Sequence, residues 1–215
     1  MSIRLVIFDF DGTIADTRKA IVLSKQATMR KLGLPVRDDE ACASTIGLPA
    51  DKGYRLLFPD MSDEMIKRCI DVARDEFART KEEYPPTVFP GVKEVVNELS
   101  ERGIMRSIAS SRNNASLRDF LKSWGMSELF PYALGADDTK KHKPDPEPVL
   151  RTLKDLNINP DEAIVVGDTP YDIGMGKSAG IHTCAVTYGI SKRAELEEAG
   201  AEVIIDDIRD LLKLV

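Results

Sequence analysis

The chain is poor in the residues that mark several protein classes. Three cysteines (Cys42, Cys69 and Cys184) are odd in number, far apart and in no Cys-x-x-Cys pair. That argues against a disulfide framework and a cysteine zinc site, and each reads as a small core residue. The two histidines, His142 and His182, are not spaced as a metal pair, and no serine stands in Gly-x-Ser-x-Gly. A serine–histidine triad is therefore unsupported. Basic residues are not in excess: 30 Lys and Arg face 36 Asp and Glu, a net charge of -6 with no basic stripe. Nucleic acid is not an expected partner, whereas a small anionic substrate responds to local charge and stays open. No apolar run is long enough for a membrane, and Asp9 and Asp11 interrupt the apolar start, so neither a membrane partner nor a signal peptide is expected. A reducing, cytoplasmic setting follows as the expectation.

What is present is a full core and one telling segment. The 215 residues are 42% hydrophobic, enough for one large or two small domains. Leu5-Val-Ile-Phe8 has the composition of a buried parallel strand. It runs straight into Asp9, Asp11, Gly12 and Thr13. Acids at the carboxyl end of such a strand lie where open α/β sheets bind ligands. Residues two apart in extended chain point the same way, so the two carboxylates repel unless one is protonated or a cation lies between them.

Asp16-Thr17 reads as the cap of a helix that runs to about Leu32 and stops at Gly33 and Pro35. Shorter helices follow near 38–45 and 50–58. Ser62 opens a long helix in which Met65, Ile66, Cys69, Ile70, Ala73 and Phe77 share a face. Tyr84 to Gly91, rich in proline, reads as a linker. Beyond it the spacing predicts helices near 91–102, 114–124, 145–156, 170–179, 191–199 and 207–214. Strands are expected near 104–109, 131–135, 163–166, 181–186 and 202–205. Alternation of this kind implies a parallel sheet between helices. The expected fold class is α/β: a Rossmann-like, three-layer parallel-sheet core (1–15 and 87–215) with an inserted α-helical cap (16–86).

Four groups fall just after predicted strands: Asp9 to Thr13, Ser110-Ser111, Lys143 in Lys140-Lys-His-Lys-Pro-Asp-Pro146, and Gly167-Asp168-Thr169-Pro170-Tyr171-Asp172. All strands of a parallel sheet end on one edge, so the groups can converge. They suit phosphoryl transfer. Carboxylates from two loops hold a hard divalent ion, one carboxylate attacks phosphorus, another moves the proton, and a hydroxyl and an ammonium bind the equatorial oxygens. Two glycine patterns mislead. Gly176-Lys-Ser178 lacks the earlier glycine of a P-loop, since position 171 is Tyr171, and Gly174 to Ala179 lies inside a predicted helix rather than at a strand-to-helix turn.

In these four motifs, in this order, the sequence resembles the haloacid dehalogenase superfamily. The look is that of phosphoglycolate phosphatases with a helical cap after the first strand. Asp9 to Thr13 match the first motif, Ser110 the second, Lys143 to Pro146 the third and Gly167 to Asp172 the fourth. Lys177 to Ile181 match the family's helix-to-strand ending. The resemblance implies a Mg²⁺-dependent phosphomonoesterase. Asp9 would be nucleophile and metal ligand, and Asp11 the acid/base, ligating the metal through its backbone carbonyl. Asp168 would be a further metal ligand. Gly12, Thr13, Ser110, Ser111 and Lys143 would bind phosphate, and Asp172 would orient a metal-bound water or Lys143. The acid at Asp11 argues against a dehalogenase. A sugar-phosphate mutase, a phosphonate hydrolase with an imine-forming lysine (Lys19, Lys25, Lys31 or Lys52), and a non-catalytic phospho-acceptor module are the alternatives. Substrate choice would lie in the cap. Gly47 in Thr45-Ile-Gly-Leu-Pro49 would allow close approach, and Arg18, Lys19, Lys52 and Arg55 are candidates for a second anionic group. The implied partner is a small phosphoester, with 2-phosphoglycolate the leading expectation, and the chain a monomer or homodimer.

Overall fold

The structure, a computed structural model, describes residues 3–215. Six parallel strands form the main sheet in the order β5-β4-β1-β6-β7-β8. They are β1 (Leu5–Phe8), β4 (Met105–Ala109), β5 (Tyr132–Leu134), β6 (Ala163–Gly167), β7 (His182–Val186) and β8 (Val203–Ile205). The first strand in sequence is central because its four residues are apolar on both sides. Val6 and Phe8 enter one cluster with Val95, Leu99 and Phe130, while Leu5 and Ile7 enter the other with Val149, Leu153 and Met175. Alternation across the pleat thus feeds two layers of helix. Each such side chain contributes about 1.5–3 kcal/mol by leaving water, which offsets the cost of burying acids at the strand's end.

Helices α5 (Val92–Glu101), α6 (Asn114–Ser123), α7 (Glu147–Leu156), α8 (Pro170–Ala179) and α9 (Arg193–Glu198) follow the expected alternation. Boundaries shift by up to two residues, as in α9, expected from 191 and starting at Arg193. The helix expected from 145 begins at Glu147, after the Asp145 carboxylate has accepted the Glu147 N–H at 3.0 Å. The terminal helix is a 3-10 turn, Ile208–Lys213.

Between β1 and β4 the chain forms α1 (Arg18–Lys31), α2 (Asp39–Ala43), α3 (Ala50–Leu57) and α4 (Asp63–Glu83). Asp38 and Ser62 cap α2 and α4 by accepting the N–H of Ala41 and Met65. Ile66 and Cys69 of α4 bury against Tyr54, with Met65, Ile70 and Ala73 alongside. Phe77, one turn on, leaves that cluster for the edge of the main core, where its ring meets Phe120 at 6.4 Å. The expected linker contains a strand: β3 (Thr87–Val88) pairs antiparallel with β2 (Ala15–Asp16). This ribbon joins the helical block to the sheet. Strands of two residues carry no periodicity, so the sequence shows only the prolines beside them.

Candidate active site

Register brings the expected groups together. Phe8 pairs with Ile108 on one side and Val166 on the other. Asp9, Ser110 and Asp168 therefore leave three adjacent strands at one edge. The Lys143 ammonium, 2% exposed, ion-pairs with Asp9 Oδ1 and with Asp172 Oδ1, the latter at 2.6 Å. The other oxygen of Asp172 accepts the Thr169 N–H at 3.0 Å and its hydroxyl at 2.7 Å. Asp172 is thus fixed by the start of α8 and in turn fixes Lys143. Asp168 is fully buried; it accepts the Thr13 hydroxyl at 3.0 Å and the Ile190 N–H at 2.7 Å.

These carboxylates are crowded. Burial, with repulsion from Asp172 and Asp11, pushes Asp9 up to about 7 against the opposing pull of Lys143. Burial and then the charges of Asp9 and Asp172 hold Asp168 well above the ordinary carboxylate range. Burial alone would lower Lys143, but Asp172 and Asp9 outweigh it and hold the ammonium above its usual value.

The donor set fits a hard divalent ion. One carboxylate oxygen from each of Asp9, Asp168 and Asp172 lies within 4.8 Å of the others. Among the described residues, Asp9 Oδ2 is buried without a hydrogen-bond partner. Ionised, three acids against one ammonium leave a net charge of −2 in a site of low polarity, which a divalent cation neutralises. Gly12 adopts a φ of 100°, and a Cβ there would collide with the Asp168 carboxylate, so bare backbone is required beside the donors.

Asp11 faces elsewhere. Both its oxygens accept from the Arg112 guanidinium, at 2.6 and 3.1 Å, and Oδ1 also accepts the Thr17 hydroxyl at 2.8 Å. Thr17 makes no side-chain bond to the start of α1, so its expected capping role is given up for Asp11. Arg112 went unread in the sequence, although it stands two residues past Ser110 at the same strand end. Its guanidinium also lies over the rings of Phe77 and Phe120, at 4.8 and 5.1 Å, which ties α4 to the core. Ser110 Oγ accepts the Arg112 N–H at 3.1 Å, and the Ser111 hydroxyl donates to the Gly47 carbonyl at 2.6 Å. A Cβ at Gly47 would lie 3.2 Å from Thr169, so the 45–49 loop rests directly on the sheet edge. Arg18 pairs with Glu40 at 2.7 Å and Arg55 with Asp63 at 2.6 Å, all four side chains well exposed. Lys19 lies over the Tyr84 ring at 4.0 Å. Gly174 and Gly176 are packing positions: Cβ atoms there would press on Pro144 and Val165.

A protein family described as haloacid dehalogenase-like hydrolase matches residues 6–186. "Probable phosphatase IndB" of Dickeya dadantii is 34% identical, over 97% of this chain and 91% of its own length. "Pyrophosphatase PpaX" of Oceanobacillus iheyensis is 30% identical over 100% and 98%. "Phosphoglycolate phosphatase" of Pseudomonas putida is 25% identical over 97% and 78%.

Proposed function

The chain belongs to the haloacid dehalogenase-like hydrolases and is a phosphatase of that family, and we propose that it hydrolyses a small phosphomonoester through an aspartyl-phosphate on Asp9. One observation carries the mechanism. Asp9 is held at one oxygen by Lys143, has its other oxygen buried without a hydrogen bond among the described residues, and sits beside Asp168.

Asp9 attacks phosphorus and the bond to the leaving oxygen breaks, while Asp11 supplies that oxygen with a proton. Water then attacks the phosphorus of the aspartyl-phosphate, Asp11 takes a proton from it, and inorganic phosphate leaves with Asp9 restored. Both oxygens of Asp11 are engaged by Arg112, so proton transfer requires at least one of those bonds to be exchanged for the leaving oxygen. Lys143, Ser110 and the backbone at Gly12 and Thr13 bind the phosphoryl oxygens, where charge collects. Asp9 and Asp168, with the Asp11 backbone carbonyl, would hold Mg²⁺, which when bound offsets repulsion between Asp9 and the anionic substrate. Residues 16–86 act as the cap that covers the site, a role supported by the Ser111–Gly47 bond and by Arg112 against Phe77.

The leading substrate is 2-phosphoglycolate, and inorganic pyrophosphate is the second reading, favoured by the name of the Oceanobacillus relative. A cytoplasmic setting accords with three buried free cysteines, and no helix among the described residues is long and apolar enough to cross a membrane. The test is phosphate release from p-nitrophenyl phosphate with Mg²⁺, with and without chelator. Asp9→Asn is expected to lower kcat by at least about 10⁴-fold. Full activity in that variant would refute the covalent mechanism.

A further inference from the structure

Of the three lysines of α1, Lys19 lies over the Tyr84 ring and Lys31 pairs with Glu76 at 2.8 Å, whereas Lys25 has neither an acid nor a ring beside it among the described residues. It follows Ile21 and Val22 and precedes Met29 at helical spacing. That face of α1 packs on Cys42, Ala43 and Ile46, and the same cluster reaches Ile190, whose N–H holds Asp168. Lys25 therefore lies on the seam between the helical block and the catalytic edge.

Its ammonium has found little there. It donates to the Thr45 hydroxyl, at the start of the loop that carries Gly47. Its Nζ lies 3.6 Å from the point where a Cβ on Gly53 would stand, an ordinary contact distance that sets it against the neighbouring helix α3. Among the described residues no carboxylate pairs with it, unlike Arg18 and Arg55, which each face an acid on the surface. Burial lowers Lys25 to about 8, although the charges of Cys42 and Asp11 act to raise it. An ammonium partnered by one hydroxyl is costly to keep in such a place. It is also the arrangement that binds an anion well, because the desolvation cost has already been met in the free protein.

We propose that Lys25, presented beside Thr45, binds a second anionic group on the leaving-group side of the substrate and so makes the enzyme selective for phosphoesters or phosphoanhydrides that carry a carboxylate or a second phosphate there. The assignment rests on the phosphatase reading above and narrows it. Carboxylate and phosphate share the required chemistry. 2-Phosphoglycolate and inorganic pyrophosphate present the two in turn, while p-nitrophenyl phosphate presents neither.

The experiment compares kcat/KM for these three substrates, with Mg²⁺, in the wild-type protein, Lys25→Met and Lys25→Arg. The wild type is expected to favour at least one of phosphoglycolate and pyrophosphate over the aryl ester. In Lys25→Met that ratio should fall at least tenfold, mainly through KM, and Lys25→Arg should restore part of it. A larger fall for phosphoglycolate assigns the site to a carboxylate; a larger fall for pyrophosphate assigns it to a phosphate. An unchanged ratio, or equal losses on all three substrates, overturns the proposal while leaving the phosphatase reading intact. A wild type that releases phosphate from none of the three refutes the phosphatase reading instead. Should Lys25→Met fail to fold, the wild-type ratio decides: no preference for phosphoglycolate or pyrophosphate over the aryl ester overturns the proposal.

Discussion

Two lysines border the same site and live under opposite conditions. Lys143 comes from the sheet edge, where Asp9 and Asp172 both reach it, and its charge is held more firmly than in water. Lys25 comes from the helical block, where one hydroxyl reaches it, and its charge is held less firmly. The sheet edge is an electrostatic unit assembled in advance: its ammonium is paired twice, and the acids in excess of it are left for a divalent cation. The helical side leaves a positive charge uncompensated until something anionic arrives. The conserving side suits a reaction repeated on many substrates, and the uncompensated side suits choosing among them.

The comparison breaks most visibly at Lys143. Lys143→Met removes the only ammonium in contact with Asp9 among the described residues and leaves Asp9 and Asp172 facing each other in a buried site. Breaking a buried pair in this way costs about 3–5 kcal/mol. We expect kcat to fall about 10²–10³-fold, and urea unfolding to show the loss of stability. Lys25→Met, by contrast, removes an unpaired charge and should not destabilise the fold. If both variants lost stability equally, the contrast between the two lysines would be void.

Gly12→Ala sharpens the sheet-edge half alone. Its φ of 100° disfavours any side chain, and the new Cβ would displace the Asp168 carboxylate. Strain of this kind costs about 1–3 kcal/mol. We expect metal-dependent activity to fall further than stability, with a raised Mg²⁺ requirement as the signature of a displaced Asp168. Activity at wild-type Mg²⁺ levels would show that Asp168 can move without consequence.

How the two sides appear in the sequence follows the same division. The sheet-edge groups are legible because each follows an apolar run that reads as a strand. Parallel strands must deliver Asp9, Ser110 and Asp168 to one edge, and the structure places them there. Lys25 and Arg112 are not legible in that way. Lys25 is one of several lysines in a helical stretch, and it is the packing of α1 on the 42–46 segment, with Tyr84 beside Lys19 and Glu76 beside Lys31, that distinguishes it. Arg18 and Arg55 look equally suited to an anion until Glu40 and Asp63 are seen beside them. The Thr17 hydroxyl looks like a helix cap, because the competing acceptor, Asp11, reaches it only once the turn at Gly12 has folded back.

The smallest expected effect tests the premise on which the comparison rests, that the half-buried Lys25 is desolvated at a cost. Its pKa in the folded protein is about 8, below the ordinary value of 10.5. Between those values the unfolded chain binds more protons than the folded one, so stability rises with pH through that window. The cost is fully present below pH 8 and is relieved as the ammonium deprotonates. From pH 7.5 to 9 this should add about 1 kcal/mol to the unfolding free energy of the wild type. Lys25→Met should lack that increment. Cys42 also faces Lys25: burial pushes its thiol up and the Lys25 charge pulls it back, so the difference between the two curves reports the lysine together with that coupling. Parallel curves over that range would mean that the ammonium is solvated in the free protein. Lys25 would then differ from Arg18 and Arg55 only in lacking an acid beside it, and the argument that its desolvation is met before substrate arrives would fail with it.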